Sequence, residues 1–237
     1  MDTPYYFGGY FLLRPKPIDF GFDKGRITQT TSACINQPLV DTWVFSWSIQ
    51  SKKLLKQVKK DFQIDDATIT KIQSWADEKN ELNKLLWVDN FADYETALEY
   101  KQTFFSHLTD VRIYSIYLSN SDSKNLIEKF HNDQSNQGDF GLRQNLLREI
   151  EEEDTNNEKF LGYDLIGVEI DGGYHSFYCN NATKELLDKF DLTLNQYGLF
   201  DNIKDPLAVK AYLNDETNGF EPVPWYIAKT KSVTEKG

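Results

Sequence analysis

An α+β fold, a mixed sheet with helices packed against it, is what three features of this 237-residue sequence predict. At least four segments carry the alternation or continuous apolar bulk of strands, and about six others carry helical periodicity. The two kinds interleave along the chain, with long helical connections, so neither an all-β nor an all-α architecture fits. A composition that is 40% hydrophobic and 14% aromatic, with only 7 Pro and 13 Gly, supplies a sizeable core and argues against disorder. The chain is read as one compact unit spanning 1–237 or two intimately packed halves, with a possible division near 119–123, where SNSDS is a loop before a helix.

The elements follow in order. Tyr5 to Leu13 is an aromatic-rich strand in which Gly8 and Gly9 fit a bulge, and Arg14 to Pro17 ends it. Leu39 to Ser48 sets Trp43, Phe45 and Trp47 two apart, on one face of a second strand. A helix follows, with Leu54, Leu55, Val58 and Phe62 as its stripe and Lys52, Lys53, Lys56, Lys59 and Lys60 as its solvated face. Residues 66 to 80 form another helix, capped by Asp65 or Asp66, with Ile69, Ile72 and Ala76 inward. Leu82, Leu85, Leu86 and Trp87 continue it or pack as a turn, and 94 to 107 is helical. Val111 to Ser119 has bulk on both faces and reads as a buried strand.

Helices are expected over 122–131, using Leu126, Ile127 and Phe130, and over 141–152, using Leu142, Leu146, Leu147 and Ile150. Glu149 and Glu151 to Asp154 then place five carboxylates within six positions at the end of that helix. Phe160 to Ile170, the Asp171 to Gly173 turn and Tyr174 to Tyr178 make a hairpin. A helix over 183–190 starts at Asn181 or Thr183, and another starts at Asp205 as N-cap with Pro206 behind it. Pro222 and Pro224 frame Trp225 to Ile227 as an edge strand or packed extended tail, because proline cannot donate to a ladder.

Charge narrows the function. Of 37 acidic and 26 basic residues, the segment 1–118 holds 15 and 14, a net of −1, whereas 119–237 holds 22 and 12, a net of −10. A chain of formal charge −11 is unsuited to nucleic acid, whose phosphates require a basic surface, and favours a basic protein partner. Cys34 and Cys179, far apart and outside any CxxC, do not read as a secretory disulfide framework. The opening MDTPYYFGGYFLL is unlike a signal peptide and no apolar run is long enough to span a bilayer, so a cytoplasmic protein without membrane contact is expected. Neither GxGxxG nor GxxxxGK nor GxSxG is present, and no cofactor is expected.

The binding residues predicted are Glu149, Glu151, Glu152, Glu153 and Asp154, as a solvated acidic face, with Trp225 and Tyr226 as exposed aromatic anchors. An alternative site is Asp164, Glu169, His175 and Cys179. The last two are four apart on a strand and share a face if it is regular, so a Cys/His or metal-dependent hydrolase can be drawn from them. A structural or regulatory subunit is a further alternative, and oligomeric state is not readable.

Leu161-Gly162-Tyr163-Asp164, His175 to Asn180, Leu194 to Leu199 and Pro224-Trp225 together resemble intracellular bacterial proteins of polymorphic toxin systems, the immunity proteins that neutralise a toxin by binding it. The resemblance covers about residues 110–230 and does not extend into the N-terminal half. It implies binding without catalysis, with carboxylates presented to a basic toxin.

Overall fold

The computed structural model describes residues 4–15, 17, 22–30, 52–86, 90–133, 141–152, 157–170 and 172–234. The strand expected at Leu39 to Ser48 lies outside them, as does Cys34. In chain order the elements are β1 (Tyr5–Leu13), α1 (Lys52–Phe62), α2 (Asp66–Glu81), β2 (Leu85–Leu86), β3 (Asn90–Phe91), α3 (Tyr94–Phe104) and β4 (Arg112–Ser119). Then come α4 (Asn120–Asn132), α5 (Gly141–Leu146), β5 (Glu158–Val168), β6 (Tyr174–Ser176), α6 (Thr183–Lys189), α7 (Asp205–Leu213) and β7 (Trp225–Val233). The class is α+β, and every pairing between these strands is antiparallel, in the order β2-β3-β1-β4-β7-β5-β6.

Local chemistry explains most helix starts. The Asp65 carboxylate accepts from the Thr68 amide at 2.8 Å, Asp93 from Thr96 at 2.9 Å and Ser119 from Asp122 at 3.3 Å, each satisfying an amide that has no intrahelical acceptor. At α7 the capping group is Asn202, whose Oδ1 accepts from the Lys204 and Asp205 amides, so Asp205 is the first helical residue rather than the cap. Asn180 does the same service ahead of α6, accepting from the Ala182 amide.

Alternation along the strands sorts the core. On one face, Leu12, Phe91 and Ile113 pack with Val58, Ile69, Ile72 and Tyr100 under α1, α2 and α3. At the far end of that face, Leu165, Trp225 and Ile227 pack with Leu186, Val209 and Leu213 under α6 and α7. The opposite face, with Phe11, Tyr114, Ile116, Ile166 and Ala228, is covered by Leu126 and Phe130 of α4 and Leu142 and Leu146 of α5.

Several expectations change. The Pro-framed terminal segment is no edge strand: β7 lies in the interior of the sheet, pairing β4 on one side and β5 on the other. Both prolines precede its first residue, so no ladder amide is lost, and the Pro224 carbonyl still accepts from the Val168 amide at 3.0 Å. The helix expected over 141–152 stops at Leu146, and Glu149 has φ 50°, a left-handed conformation that turns the chain back. Residues beyond it run beside β1, with the Phe7 amide donating to Ile150 at 2.8 Å and the Glu152 amide to Tyr5 at 2.7 Å, which leaves Ile150 exposed. The return strand of the C-terminal hairpin ends at Ser176, and Phe177–Cys179 is a 3-10 turn. Leu85–Leu86, expected to continue α2 or pack as a turn, forms β2 against β3, and the SNSDS segment is no loop, because Ser119 ends β4 and caps α4 directly. Among the expectations that hold, β1 has its irregularity between Phe7 and Gly9, and Ile69, Ile72 and Ala76 face inward from α2.

A second bulge, between Phe160 and Gly162 of β5, brings the chain against residues 199–200. Gly162 has φ 150°, and a Cβ there would lie 2.6 Å from Leu199 Cβ and 2.8 Å from the Phe200 carbonyl oxygen. Gly162→Ala should therefore destabilise the protein by about 2–4 kcal/mol, the sum of backbone strain and overpacking, read as a lower urea midpoint at unchanged slope.

Candidate functional site

The acidic run is divided by the fold. Glu149 and Glu151 are exposed, Glu151 in a bridge with Tyr6, whereas Glu153 and Asp154 lie outside the described residues. Glu152 does not face solvent as expected: its carboxylate accepts from Lys229 Nζ at 2.7 Å and pairs with Lys231. Turning 150–152 onto β1 is what delivers that side chain to β7. Lys231 also pairs with Glu158, which accepts from Ser115 Oγ at 2.7 Å and from the Tyr117 hydroxyl at 2.9 Å. The lysines lie over aromatic faces as well, Lys229 3.7 Å from the Tyr5 ring centroid and Lys231 4.9 Å from that of Tyr117.

This group fills the strip of sheet between the two helical clusters. Burial alone would raise the Glu152 pKa, but the hydrogen bonds and charges of Lys229 and Lys231 outweigh it and hold the carboxyl below its ordinary value. Burial would likewise lower Lys231, and Glu152 and Glu158 outweigh that and raise it. Every charge in the strip is answered by its neighbours, so its chemistry is structural.

Trp225 and Tyr226, expected as exposed anchors, are buried at 0% and 4% exposure, because a strand interior to the sheet with both faces covered leaves neither ring in water. The Trp225 indole packs edge-on to His175 and Phe177, and the Tyr226 hydroxyl donates to Asn125 at 2.8 Å.

The alternative set is likewise not assembled. His175 Nε2 hydrogen-bonds to Glu221 at 2.9 Å, while Cys179 Sγ donates to the Ser176 carbonyl at 3.0 Å. The Cys/His reading needs a regular strand through Cys179, and the 3-10 turn after Ser176 removes the shared face. Glu169 is exposed. Among the described residues, no group of three His, Cys, Asp or Glu side chains is placed to hold a metal ion. Asp164 is buried on the α4/α5 side of the sheet, where Ser176 Oγ donates to its Oδ1 at 2.9 Å and Oδ2 has no partner among the described residues. Burial pushes its pKa up to about 7 against the lowering effect of the Ser176 hydroxyl and the Leu165 backbone amide.

A concavity lies at the end of the sheet where β7 begins. A groove of about 760 Å³ runs between α4, the C-terminal end of α7 and the Phe220–Pro224 segment. A second of about 380 Å³ continues it past Leu126, Phe130, Val168 and Ile170, sharing Lys129, Pro222, Val223 and Pro224 with the first. Its floor is braced by Asp122, which accepts from Lys210 Nζ at 2.5 Å and from the Ile227 amide at 3.1 Å. Lys129 donates to the Tyr226 hydroxyl at 3.2 Å, so both lysines of the groove are engaged. Asp215, Glu216, Glu221 and Glu169 stand exposed around it. Of the groove residues, Trp225, Tyr226 and Glu169 alone were predicted from the sequence as site residues. Asp122 was legible only as part of a polar loop, and nothing in the pattern ties it to Lys210, 88 residues away.

No protein-family model matches this chain, and no curated protein or solved structure matches it.

Two outcomes follow from this chemistry. Lys231→Met leaves Glu152 and Glu158 short of a cation in a sheltered site and should cost about 3 kcal/mol in denaturant unfolding, with Glu158→Gln costing less in that background than alone. Asp164 holds its proton more tightly folded than unfolded, so its contribution is complete below the unfolded value near 3.8 and is lost as pH rises to about 7. Between pH 5 and 8 the stability of Asp164→Asn relative to the parent should therefore improve by about 2–3 kcal/mol, measured as paired urea midpoints.

Proposed function

We propose that this protein is a non-catalytic binding protein that neutralises a basic protein partner by direct contact, as an immunity protein does a toxin. One observation carries the reading: where the uncompensated charge sits. In the acidic second half, the sheltered carboxylates Asp122, Asp133, Glu152 and Glu158 are matched internally by Lys210, Arg143, Lys229 and Lys231. Removing these neutral pairs leaves the net of −10 in 119–237 almost untouched and assigns it to outward groups such as Glu128, Glu149, Glu151, Glu169, Glu185, Asp191, Asp201 and Glu216. A field of one sign over half the chain accelerates encounter with a cationic partner and repels nucleic acid. The resemblance of residues 110–230 to immunity proteins points the same way.

The test is capture of partners from the native cell on the tagged chain, followed by activity and kinetics of what is recovered. The expected result is one basic protein whose activity falls to zero at a one-to-one ratio. Its association rate should drop about tenfold or more between low and high salt, as steering is screened. A partner bound at a salt-independent rate through a large apolar interface would replace this reading with that of a constitutive subunit.

A further inference from the structure

We infer that the groove between α4 and the Phe220–Pro224 segment receives an extended segment of a basic partner protein, one that alternates Lys or Arg with apolar side chains. The inference rests on the proposed function and adds to it a place and a partner chemistry. Two features of the groove select that occupant.

The first is the order of surfaces along it. The smaller compartment is lined by Leu126, Phe130, Val168 and Val223, with Ile170 43% exposed beside it, and is the size of an aliphatic side chain with room to spare. Carboxylates stand to either side, Glu169 at this compartment and Asp215, Glu216 and Glu221 around the larger one. An extended chain carries same-face side chains about 7 Å apart, which suits an apolar group set between cations. The second is charge. Both groove lysines are committed, Lys210 to Asp122 and Lys129 to the Tyr226 hydroxyl, and each lies within 6 Å of the Tyr226 ring centroid. Among the described residues no cation pairs with Glu169 or Glu216, so the groove presents unanswered negative charge at its edges over an apolar interior.

The experiment uses the full chain, isotope-labelled, titrated at low salt with a capped heptapeptide alternating Lys and Val, and separately with its Glu/Val counterpart. The Lys/Val peptide should bind in preference, with amide shifts confined to 126–130, 168–170 and 213–226. The double charge reversal Glu169→Lys with Glu216→Lys should weaken it about tenfold, whereas Glu185→Lys with Asp191→Lys, the same change in net charge elsewhere, should weaken it less than about twofold. Dispersed spectra of both variants establish that they fold. If the Lys/Val peptide binds preferentially but shifts residues around Glu149 and Glu151, or if both double variants weaken it equally, the groove assignment falls while the acidic-binder reading stands. If neither peptide binds, or both bind alike, the groove and the reading beneath it fall together.

Discussion

The hydrogen-bonding of β7 is the constraint on which the architecture depends. Strands β2, β3, β1 and β4 form one run, β5 and β6 another, and among the described residues β7 is the strand that joins them. Its ladder with β4 spans Ala228 to Ser232 and its ladder with β5 runs from Trp225 to Val233. Among the described residues, β7 therefore completes the sheet and links the helical clusters at its two ends. Pairing β4 with β7 brings together segments far apart in the sequence, and such non-local pairing carries a loop-closure cost in entropy.

The side chains of the same strand divide its environment in two. Trp225 and Ile227 anchor the apolar cluster under α6 and α7, while two residues further on Lys229 and Lys231 enter the aromatic strip beside Tyr5 and Tyr117. Lysine in that position is tolerated because Glu152 and Glu158 arrive from β1's flank and from β5 to meet it. Ion pairs of this sort contribute little net stability, since desolvation offsets most of the attraction, but mispairing would strand a charge. They thus favour one register of β7 over its alternatives.

Charge in this protein is sorted by depth. Internal pairs neutralise the sheltered carboxylates other than Asp164, and the excess lies outside, densest in sequence after residue 119. The groove at the start of β7 combines this excess with apolar side chains of α4 and β5 that line its smaller compartment. Its architecture comes from Asp122, which ties α4 to β7 through the Ile227 amide and to α7 through Lys210.

By itself the sequence determined the class, most of the helices, the bulge at Gly8-Gly9, the inward face of α2 and the sign and distribution of charge, because each of these is set by neighbours within a turn or two. Its local patterns misplaced whatever depended on distant partners. Pro222 and Pro224 mark an edge only if the strand after them has a free side, and the pairing of Trp225 to Val233 with two other strands is a tertiary fact. Five clustered carboxylates read as one solvated face, yet the left-handed turn at Glu149 sends Glu152 inward to two lysines nearly eighty residues away. His175 and Cys179 share a spacing but not a face, because a 3-10 turn intervenes. Burial and ion pairing are properties of position in space, so only the tertiary structure decided which acids remain available to a partner and which aromatics serve the core.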